Sequence, residues 1–493
     1  MYTHILSTND FTSRQEIEVM VKAGQSMVKH ALARTYSTKF PDKKAVLAFF
    51  EPSTRTHKSH KQAALNLGMR IDEFSGAEGT SLMKHESLAD TARMIAGQGA
   101  DILVLRATQE GSARWVAEVI EQYGHQVTVI NGGDGRNQHP TQTLLDLLTI
   151  LEKKGRLDDL HIGLVGDLAN GRTAVSLIQA LKHFDNIRVT LVAPKGAEML
   201  PQYKAGINIV CESESMEALR DCDVIYVTRF QLERITDPIL RQSVQGKYVF
   251  NKKFLDSCQP DVIVMHPLPS VEEIAADIKH DPRMVAFEQA EYGIPARMAV
   301  FVRALLDPFQ GLGQWSPDRD LLSESREFPI AADMKPVKFF QPINHGTVID
   351  HIPSGEAINV IRILESISCI TDELPRQLVQ HVHTRKYEGQ KDVLLLPDIM
   401  LDPISAATVQ YIFPEITVNE FPGNNIKVKR TYKVPSHVEG IFRCPNDSCI
   451  TNREPEAISR FRIINRSMTH SSARCIYCER DFTHYQLLMC LAA

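Results

Sequence analysis

In the first part of the chain, short unbroken apolar runs alternate with longer segments whose apolar positions recur every three or four residues. KKAVLAFF reads as a buried strand, EPSTRT as the loop after it, and HKSHKQAALNLGM as a helix. DILVLR is a second strand, SARWVAEVIEQY a helix and QVTVIN a third strand. Strands that alternate with helices in this way predict a parallel sheet covered on both sides. The pattern starts again at HIGLVGD, continues with the helix RTAVSLIQALKHF, and adds the strands RVTLVAP, DVIYVTR and DVIVMHPLP. Two α/β domains are therefore expected, over 1–140 and 141–310, bridged by the helix TQTLLDLLTILEKKG and closed by a helix near RMAVFVRALL.

From Gly311 to Lys335 the chain turns rich in Gly, Pro, Ser and charge and loses its periodicity, the texture of a linker over 311–335. Alternation resumes in NIKVKRTYKV, which predicts a small α+β domain with antiparallel strands over 336–435, followed by a cysteine-bearing end over 436–493. With 493 residues, several domains are expected. The net charge of -5 argues against nucleic acid as a partner, and the arginines near the C-terminus lack an aromatic–basic pattern. No apolar run is long enough to span a membrane, and the polar start MYTHILSTND is unlike a secretory signal. The nine cysteines do not form a disulfide framework, so a cytoplasmic protein is expected.

Four of those cysteines carry the strongest spacing signal. Cys444 and Cys449 stand in CPNDSC, and Cys475 and Cys478 in CIYC. Two pairs about 25 residues apart suit one tetrahedral Zn²⁺. Four thiolates leave no open position on the metal, so the site is structural and the module depends on it to fold.

Candidate chemistry in the first two domains is cationic. Ser53, Thr54, Arg55 and Thr56 follow a strand and open a helix, where hydroxyls, N–H groups and a guanidinium can meet one anion; the alternative is a helix cap and a surface arginine. Arg106 ends a strand, the edge at which open α/β sheets bind ligands. His139, before a proline and a helix, either donates to a ligand carbonyl or caps the helix, with Gln142 nearby. Arg172 follows a glycine-rich turn that lacks the dinucleotide fingerprint. Arg229 and Gln231 end another strand, and HPLP, with Pro267 and Leu268, ends the next. Lys84 taken alone reads as a solvated lysine. Neither paired carboxylates nor a Ser or Cys nucleophile competes with these cations, so the pattern suits an anionic substrate pair and charge stabilisation.

The ordered set FFEPSTRT, HESLADT, GGDGRNQHPTQTLLDL, GDLANGRT, VTRFQLER, HPLP and FEQAEYGIPARMA resembles the catalytic chain of the aspartate carbamoyltransferase family over residues 1–310. The resemblance implies condensation of carbamoyl phosphate with L-aspartate in pyrimidine synthesis, without an organic cofactor. It implies that Ser53, Thr54, Arg55 and Thr56 bind the phosphate, Arg106 bridges phosphate and carbonyl, and His139 donates to the carbonyl with Gln142 near the amide. Arg172 and Arg229 clamp the aspartate carboxylates with Gln231 in support, and the Pro267 and Leu268 carbonyls orient the reactants. Lys84 enters a neighbouring subunit's site on a mobile loop, together with Thr80 or Ser81, of which Ser81 is favoured. The chain departs from the family at His57, His60 and Lys61, where Arg, Phe and Glu are common, and at His85, where Gly is usual. Those departures bear on helix packing and loop mobility.

Residues from about 336 onward resemble the regulatory chain of the same enzyme, through GTVIDHIPSGEA, GQKDVLLL, TVNEF and the cysteine end. The resemblance implies a site for ATP or CTP at Asp350, His351, Lys391, Asn419 and Lys429. A lysine normally found four residues after Lys391 is Leu395 here, so nucleotide control is expected to be weakened or altered. It also implies catalytic trimers joined through regulatory dimers into a homo-oligomer, a hexamer of fused chains. The stretch from Arg297 to Lys335 joins the two regions covalently. A carbamoyltransferase for ornithine would be expected to carry HCLP rather than HPLP, and the retained ligand residues argue against an inactive homologue.

Overall fold

The computed structural model describes residues 3–33, 35–75, 86–230, 241, 244, 246–313, 318, 321–329, 343–367, 369–371, 376–384, 389–423, 426–465 and 472–491. The chain divides into two compact units, Met1–Gly313 and Gln314–Ala493.

The first unit holds two parallel sheets. Strands β1 (Lys44–Phe49), β2 (Arg70–Ser75), β3 (Ile102–Ala107) and β4 (Thr128–Asp134) stand in the order β2-β1-β3-β4. Strands β5 (His161–Val165), β6 (Arg188–Val192), β7 (Asn208–Ser213), β8 (Val224–Val227) and β9 (Ile263–Met265) stand in the order β7-β6-β5-β8-β9. All their described pairings are parallel. The inner strands are largely apolar, as expected when both faces are covered, and every residue of β3 is buried, whereas the edge strands β2 and β7 carry polar residues along their length and were not predicted.

The helices include α1 (Arg14–Ala33), α2 (Thr54–Asn66), α3 (Leu88–Gly97), α4 (Ser112–Gln122), α5 (Pro140–Lys154) and α6 (Arg172–Leu181). Helix α5 is buried on every side from Pro140 to Ile150 and packs on α1, α6 and the late helix Gly293–Leu306. It starts on Pro140, whose missing N–H costs nothing in the first turn, and stops at Gly155 with φ 70°. One core cluster runs through both sheets, from Leu47 and Val104 past Leu148 to Ile162 and Leu164.

The expected linker is more structured than its composition suggested. Thr3 N donates to the Gln310 carbonyl at 2.8 Å and Leu312 N donates to Glu121 at 2.7 Å, so 310–312 belong to the first unit. Arg297, read as the start of the joining stretch, is buried in the late helix. Leu322–Pro329 forms strand β10. It is an edge strand, held through its backbone with mostly exposed side chains, so it carries no apolar alternation for a sequence reading to find.

The second unit is antiparallel. Strands β11 (His345–Pro353), β12 (Gln377–Thr384), β13 (Gly389–Pro397), β14 (Thr417–Pro422) and β15 (Ile426–Tyr432) join β10 in the order β10-β15-β14-β11-β13-β12. The helices Ala357–Ser366 and Pro403–Ile412 accompany this sheet. A smaller sheet, β16 (His437–Glu439), β17 (Arg460–Asn465), β18 (Ser472–Cys475) and β19 (Asp481–Thr483), carries the cysteines. No helix among the described residues is long and apolar enough to cross a membrane.

Candidate active site, metal cluster and regulatory face

In the first unit, the turns after β1, β8 and β9, the end of β3 and the starts of α2, α5 and α6 converge on one cavity of about 520 Å³. Its lining includes Ser53, Thr54, Arg55, Thr56, Arg106, His139, Gln142, Arg172, Arg229, Pro267 and Leu268. The structure thus brings together the described residues singled out for substrate. Lys84, Ser81, Thr80, His85 and Gln231 lie outside the described residues.

Local geometry explains how each group is presented. Ser53 sits at the N-cap of α2 with extended backbone, and its hydroxyl makes no cap hydrogen bond, which leaves it and the first N–H groups turned to the cavity. His139 occupies the N-cap of α5, but its ring does not cap the helix. Nε2 is 3.5 Å from Thr56 Oγ1 and Nδ1 is 3.5 Å from Thr141 Oγ1. Burial, followed by the charges of Arg172, Arg106 and Arg297, holds His139 well below the usual histidine range, so the ring is neutral.

Two arginines share one carboxylate. Glu51 Oε2 is 3.1 Å from Arg106 Nη2 and 3.4 Å from Arg172 Nη1. Arg106 also donates to the Gly132 carbonyl at 3.0 Å, and Arg172 to the Gly135 carbonyl at 2.6 Å. Gly133, at φ 112°, is the condition for this: a Cβ there would stand 2.7 Å from Arg106 Nη1 and 3.0 Å from the Arg172 guanidinium.

Beneath the cavity lies a buried polar network. Asp146 accepts from Gln142 Nε2 at 2.9 Å, Tyr226 Oη at 2.9 Å and Gln289 Nε2 at 2.7 Å. Gln289 Oε1 in turn accepts from His266 N at 2.8 Å, at the start of the HPLP turn. In that turn Leu268 N donates to His266 Nδ1 at 2.8 Å, so His266 carries its proton on Nε2, toward Glu273 at 2.9 Å. Sequence reading passed over Glu51, Asp146, Tyr226, Gln289 and Arg297. A signal existed for two of them: one acid inside TLLDLL and one arginine inside IPARMAVF are polar breaks in apolar helical stripes.

The departures have plain consequences. His57 lies 3.3 Å from Glu73 and Lys61 pairs with the same carboxylate, so Glu73 on β2 anchors both. His60 is fully buried beside Thr56 and Arg297.

In the second unit the sulfurs of Cys444, Cys449, Cys475 and Cys478 all lie within 4.8 Å of one another and are buried. Cys444 and Cys478 are 3.7 Å apart and Cys449 and Cys475 3.8 Å. A tetrahedron of sulfurs about 2.3 Å from a zinc ion has edges of about 3.8 Å, so the cluster has the size and donor set for such a metal. Thr451 Oγ1 donates to Cys449 Sγ at 3.3 Å, the kind of outer contact that orients a thiolate.

On the larger antiparallel sheet, directly opposed residues form a row: Lys429 faces Asn419, Asn419 faces Val348, and Val348 faces Leu395. Opposed residues share a face, so Leu395 joins the side of the sheet that carries Asn419 and Lys429. Leu395 is 3% exposed and packs as core. Lys391 Nζ pairs with Asp350 at 2.6 Å, and His351, at φ 62°, has Nδ1 3.3 Å from the same carboxyl group.

Models of known families match four stretches. The aspartate/ornithine carbamoyltransferase carbamoyl-P binding domain covers residues 3–152 and the Asp/Orn binding domain 158–304. The aspartate carbamoyltransferase regulatory chain matches through its allosteric domain at 339–433 and its metal binding domain at 436–487. The cavity and the paired sheets therefore define a carbamoyltransferase of the aspartate/ornithine class. Two relatives narrow it. The aspartate carbamoyltransferase catalytic subunit of Methanocaldococcus jannaschii is 39% identical over 314 residues, covering 62% of this chain and 98% of the relative. That of Methanothrix thermoacetophila is 40% identical over 309 residues, with the same 62% and 98% covered. The chain belongs to the aspartate carbamoyltransferase family, with a catalytic and a regulatory region fused in one polypeptide. Among solved structures, the M. jannaschii catalytic subunit superposes with a TM-score of 0.56 at 39% identity, covering 62% of this chain and 98% of that one. The Trypanosoma cruzi aspartate transcarbamoylase in complex with carbamoyl phosphate and aspartate gives a TM-score of 0.57 at 31% identity, covering 62% and 97%.

Proposed function

We propose that this chain transfers the carbamoyl group of carbamoyl phosphate to the amine of L-aspartate, giving N-carbamoyl-L-aspartate and phosphate in de novo pyrimidine biosynthesis. One observation carries the reading: Arg55, Arg106, Arg172 and Arg229 line a single cavity that also holds Thr56, His139 and Gln142. The T. cruzi relative solved with both substrates supports it.

In this reading the phosphate rests on Ser53, Thr54, Arg55 and Thr56 at the N-terminus of α2. Arg106 spans phosphate and carbonyl, and Gln142 holds the amide. Arg172 and Arg229 take the two carboxylates of aspartate, with Gln231 in support, and the carbonyls of Pro267 and Leu268 orient the amine. The deprotonated amine attacks the carbamoyl carbon. Charge develops on the carbonyl oxygen, where Thr56, Arg106 and His139 stabilise it. The carbon–oxygen bond to phosphate then breaks, with Arg55 and Lys84 stabilising the departing group, and the phosphate takes the amine proton. Holding both substrates in one cavity supplies much of the acceleration.

The four cysteines hold one structural Zn²⁺. Asp350, His351, Lys391, Asn419 and Lys429 form a face for ATP or CTP, and the chains assemble as catalytic trimers joined into a hexamer in the cytoplasm. Initial rates with carbamoyl phosphate test the reaction: aspartate should give carbamoyl aspartate, and ornithine should give no citrulline. Citrulline as the main product would move the chain to the ornithine branch of the class.

A further inference from the structure

The strand formed by the joining stretch borders the face proposed for nucleotides. Strand β10 pairs with β15, and the register sets Arg326 directly opposite Lys429. Lys429 in turn opposes Asn419, so one row of opposed residues runs Arg326, Lys429, Asn419, Val348, Leu395. Directly opposed side chains share a face of the sheet, and so do side chains two apart along a strand. Arg326, Lys427 and Lys429 therefore stand on the side that carries Asn419 and Leu395. Strand β10 lies outside residues 339–433, the stretch matched to the allosteric domain of regulatory chains. Arg326 is thus a cation that this match does not supply.

Positive charge is in excess here. Asp350 is taken by Lys391 at 2.6 Å, and Glu324 meets Arg326 at 3.4 Å in an exposed pair, which contributes little. Among the described residues, neither Lys427 nor Lys429 forms an ion pair. Burial pulls Lys427 below the usual lysine range; Asp350 opposes this, and the charges of Lys429 and Lys391 add to it. These end groups therefore feel one another across the face. Like charges directly opposed in a sheet are destabilising, as with Arg326 and Lys429. Charges that merely protect an edge strand do not need to face another cation. An anion held between the two turns that repulsion into attraction.

We propose that the β10–β15 edge of the regulatory sheet binds a chain of phosphates, borne by a nucleotide or free, through Arg326, Lys427 and Lys429. That the phosphates belong to a nucleotide rests on the face proposed above. Leu395 and Arg326 stand at opposite ends of the row, four strand spacings or about 19 Å apart. Arg326 therefore does not stand in for the lysine missing at Leu395. It moves the anion-binding end of the face outward, away from β13. Because β10 belongs to the joining stretch, a bound polyphosphate also ties that stretch to β15.

Calorimetry on the full, zinc-loaded chain tests this, with ATP, CTP and inorganic tripolyphosphate as probes. Low salt is used, because screening weakens exposed charges. The variants are Arg326→Ala, Lys427→Ala and Lys429→Ala. Arg362→Ala, which removes an exposed cation from the helix Ala357–Ser366, is the control. The Arg326 side chain is 72% exposed and β10 is held through its backbone, so Arg326→Ala should keep the wild-type melting temperature. Arg326→Gln gives the same neutral test should it not. Arg326→Ala and Lys427→Ala should each weaken tripolyphosphate and nucleotide binding by about fivefold, and Arg362→Ala by less than about twofold. Nucleotide binding that is lost in Lys429→Ala but unchanged in Arg326→Ala and Lys427→Ala overturns the edge site and leaves the nucleotide face standing. An equal loss in Arg362→Ala means unspecific attraction and also overturns it. Tripolyphosphate binding that depends on Arg326, without binding of ATP or CTP, supports the site and removes the nucleotide reading. A wild type that binds none of the three probes removes both.

Discussion

Asp146 links three elements through one carboxyl group: Gln142 on its own helix, Tyr226 on β8, and Gln289 on the helix Ala286–Glu291. Gln289 uses both ends of its amide, one on Asp146 and one on His266 N, so the HPLP turn is tied to the helix that presents Gln142. The site's two halves are thus registered by a group that is itself fully buried. Burial raises Asp146 from 3.8 to about 7 despite its three donors. The folded chain therefore holds a proton that the unfolded chain releases, and stability falls as pH rises from about 4 to about 7, by at most about 1.4 kcal/mol per pH unit. Above that window both states are ionised and the effect is constant. Asp146→Asn keeps the shape and removes the titration. Its melting temperature should match the wild type near pH 4, exceed it increasingly toward pH 7, and keep a constant lead above. A lead that is constant from pH 4, or that shrinks as pH rises, would rule out this account of Asp146. At this scale the sequence showed the cations well, because Arg55, Arg106, Arg172 and Arg229 stand at strand or helix ends. It showed little of what holds them. The Glu51 bridge and the Asp146 hub depend on residues far apart in the chain meeting in space, and only a polar residue inside an apolar stripe hinted at the latter.

Among elements, the inner parallel strands were the easiest to read, because a strand covered on both faces is mostly apolar, while the polar edge strands β2 and β7 went unread. Strand β10 was hidden in the same way. An edge strand is held by backbone hydrogen bonds and needs few apolar side chains, so SESREF looked like a connection. The cysteine module was legible from spacing alone, and its sulfurs gather within 4.8 Å. Replacing one ligand should undo it: Cys449→Ala should lower zinc from about one per chain to near zero and loosen the assembly. Full metal content in that variant would show that the ligand set is wrong. The regulatory sheet carries a different expectation. Leu395 occupies core on the face that holds Asn419 and Lys429, and an apolar side chain there can neither hydrogen-bond nor supply charge to a nucleotide. Calorimetry with ATP and CTP, with aspartate saturation curves beside it, should give weak binding or superimposable curves, because control requires differential binding to two states. Tight micromolar binding with a several-fold shift in half-saturation would overturn that expectation.

For the whole molecule, fusion fixes one regulatory region to each catalytic region and raises their effective concentration for one another. If Lys84 of one chain completes the site of the next, two inactive variants should repair each other. Mixing Arg55→Ala with Lys84→Ala under conditions of subunit exchange should restore part of the activity, since some mixed interfaces then carry an intact site. No recovery despite proven exchange would mean that each chain builds its own site. The central claim is that the arginine-lined cavity joins carbamoyl phosphate to aspartate. It is tested most directly by following the carbon itself. With ¹³C-carbamoyl phosphate, aspartate and the intact chain, the label should appear in the ureido carbon of N-carbamoyl-L-aspartate, and the Arg106→Ala variant should lose that signal. Label that remains in carbamoyl phosphate or its hydrolysis products with the folded, zinc-loaded wild type, or that enters citrulline when ornithine is supplied instead, would contradict the account.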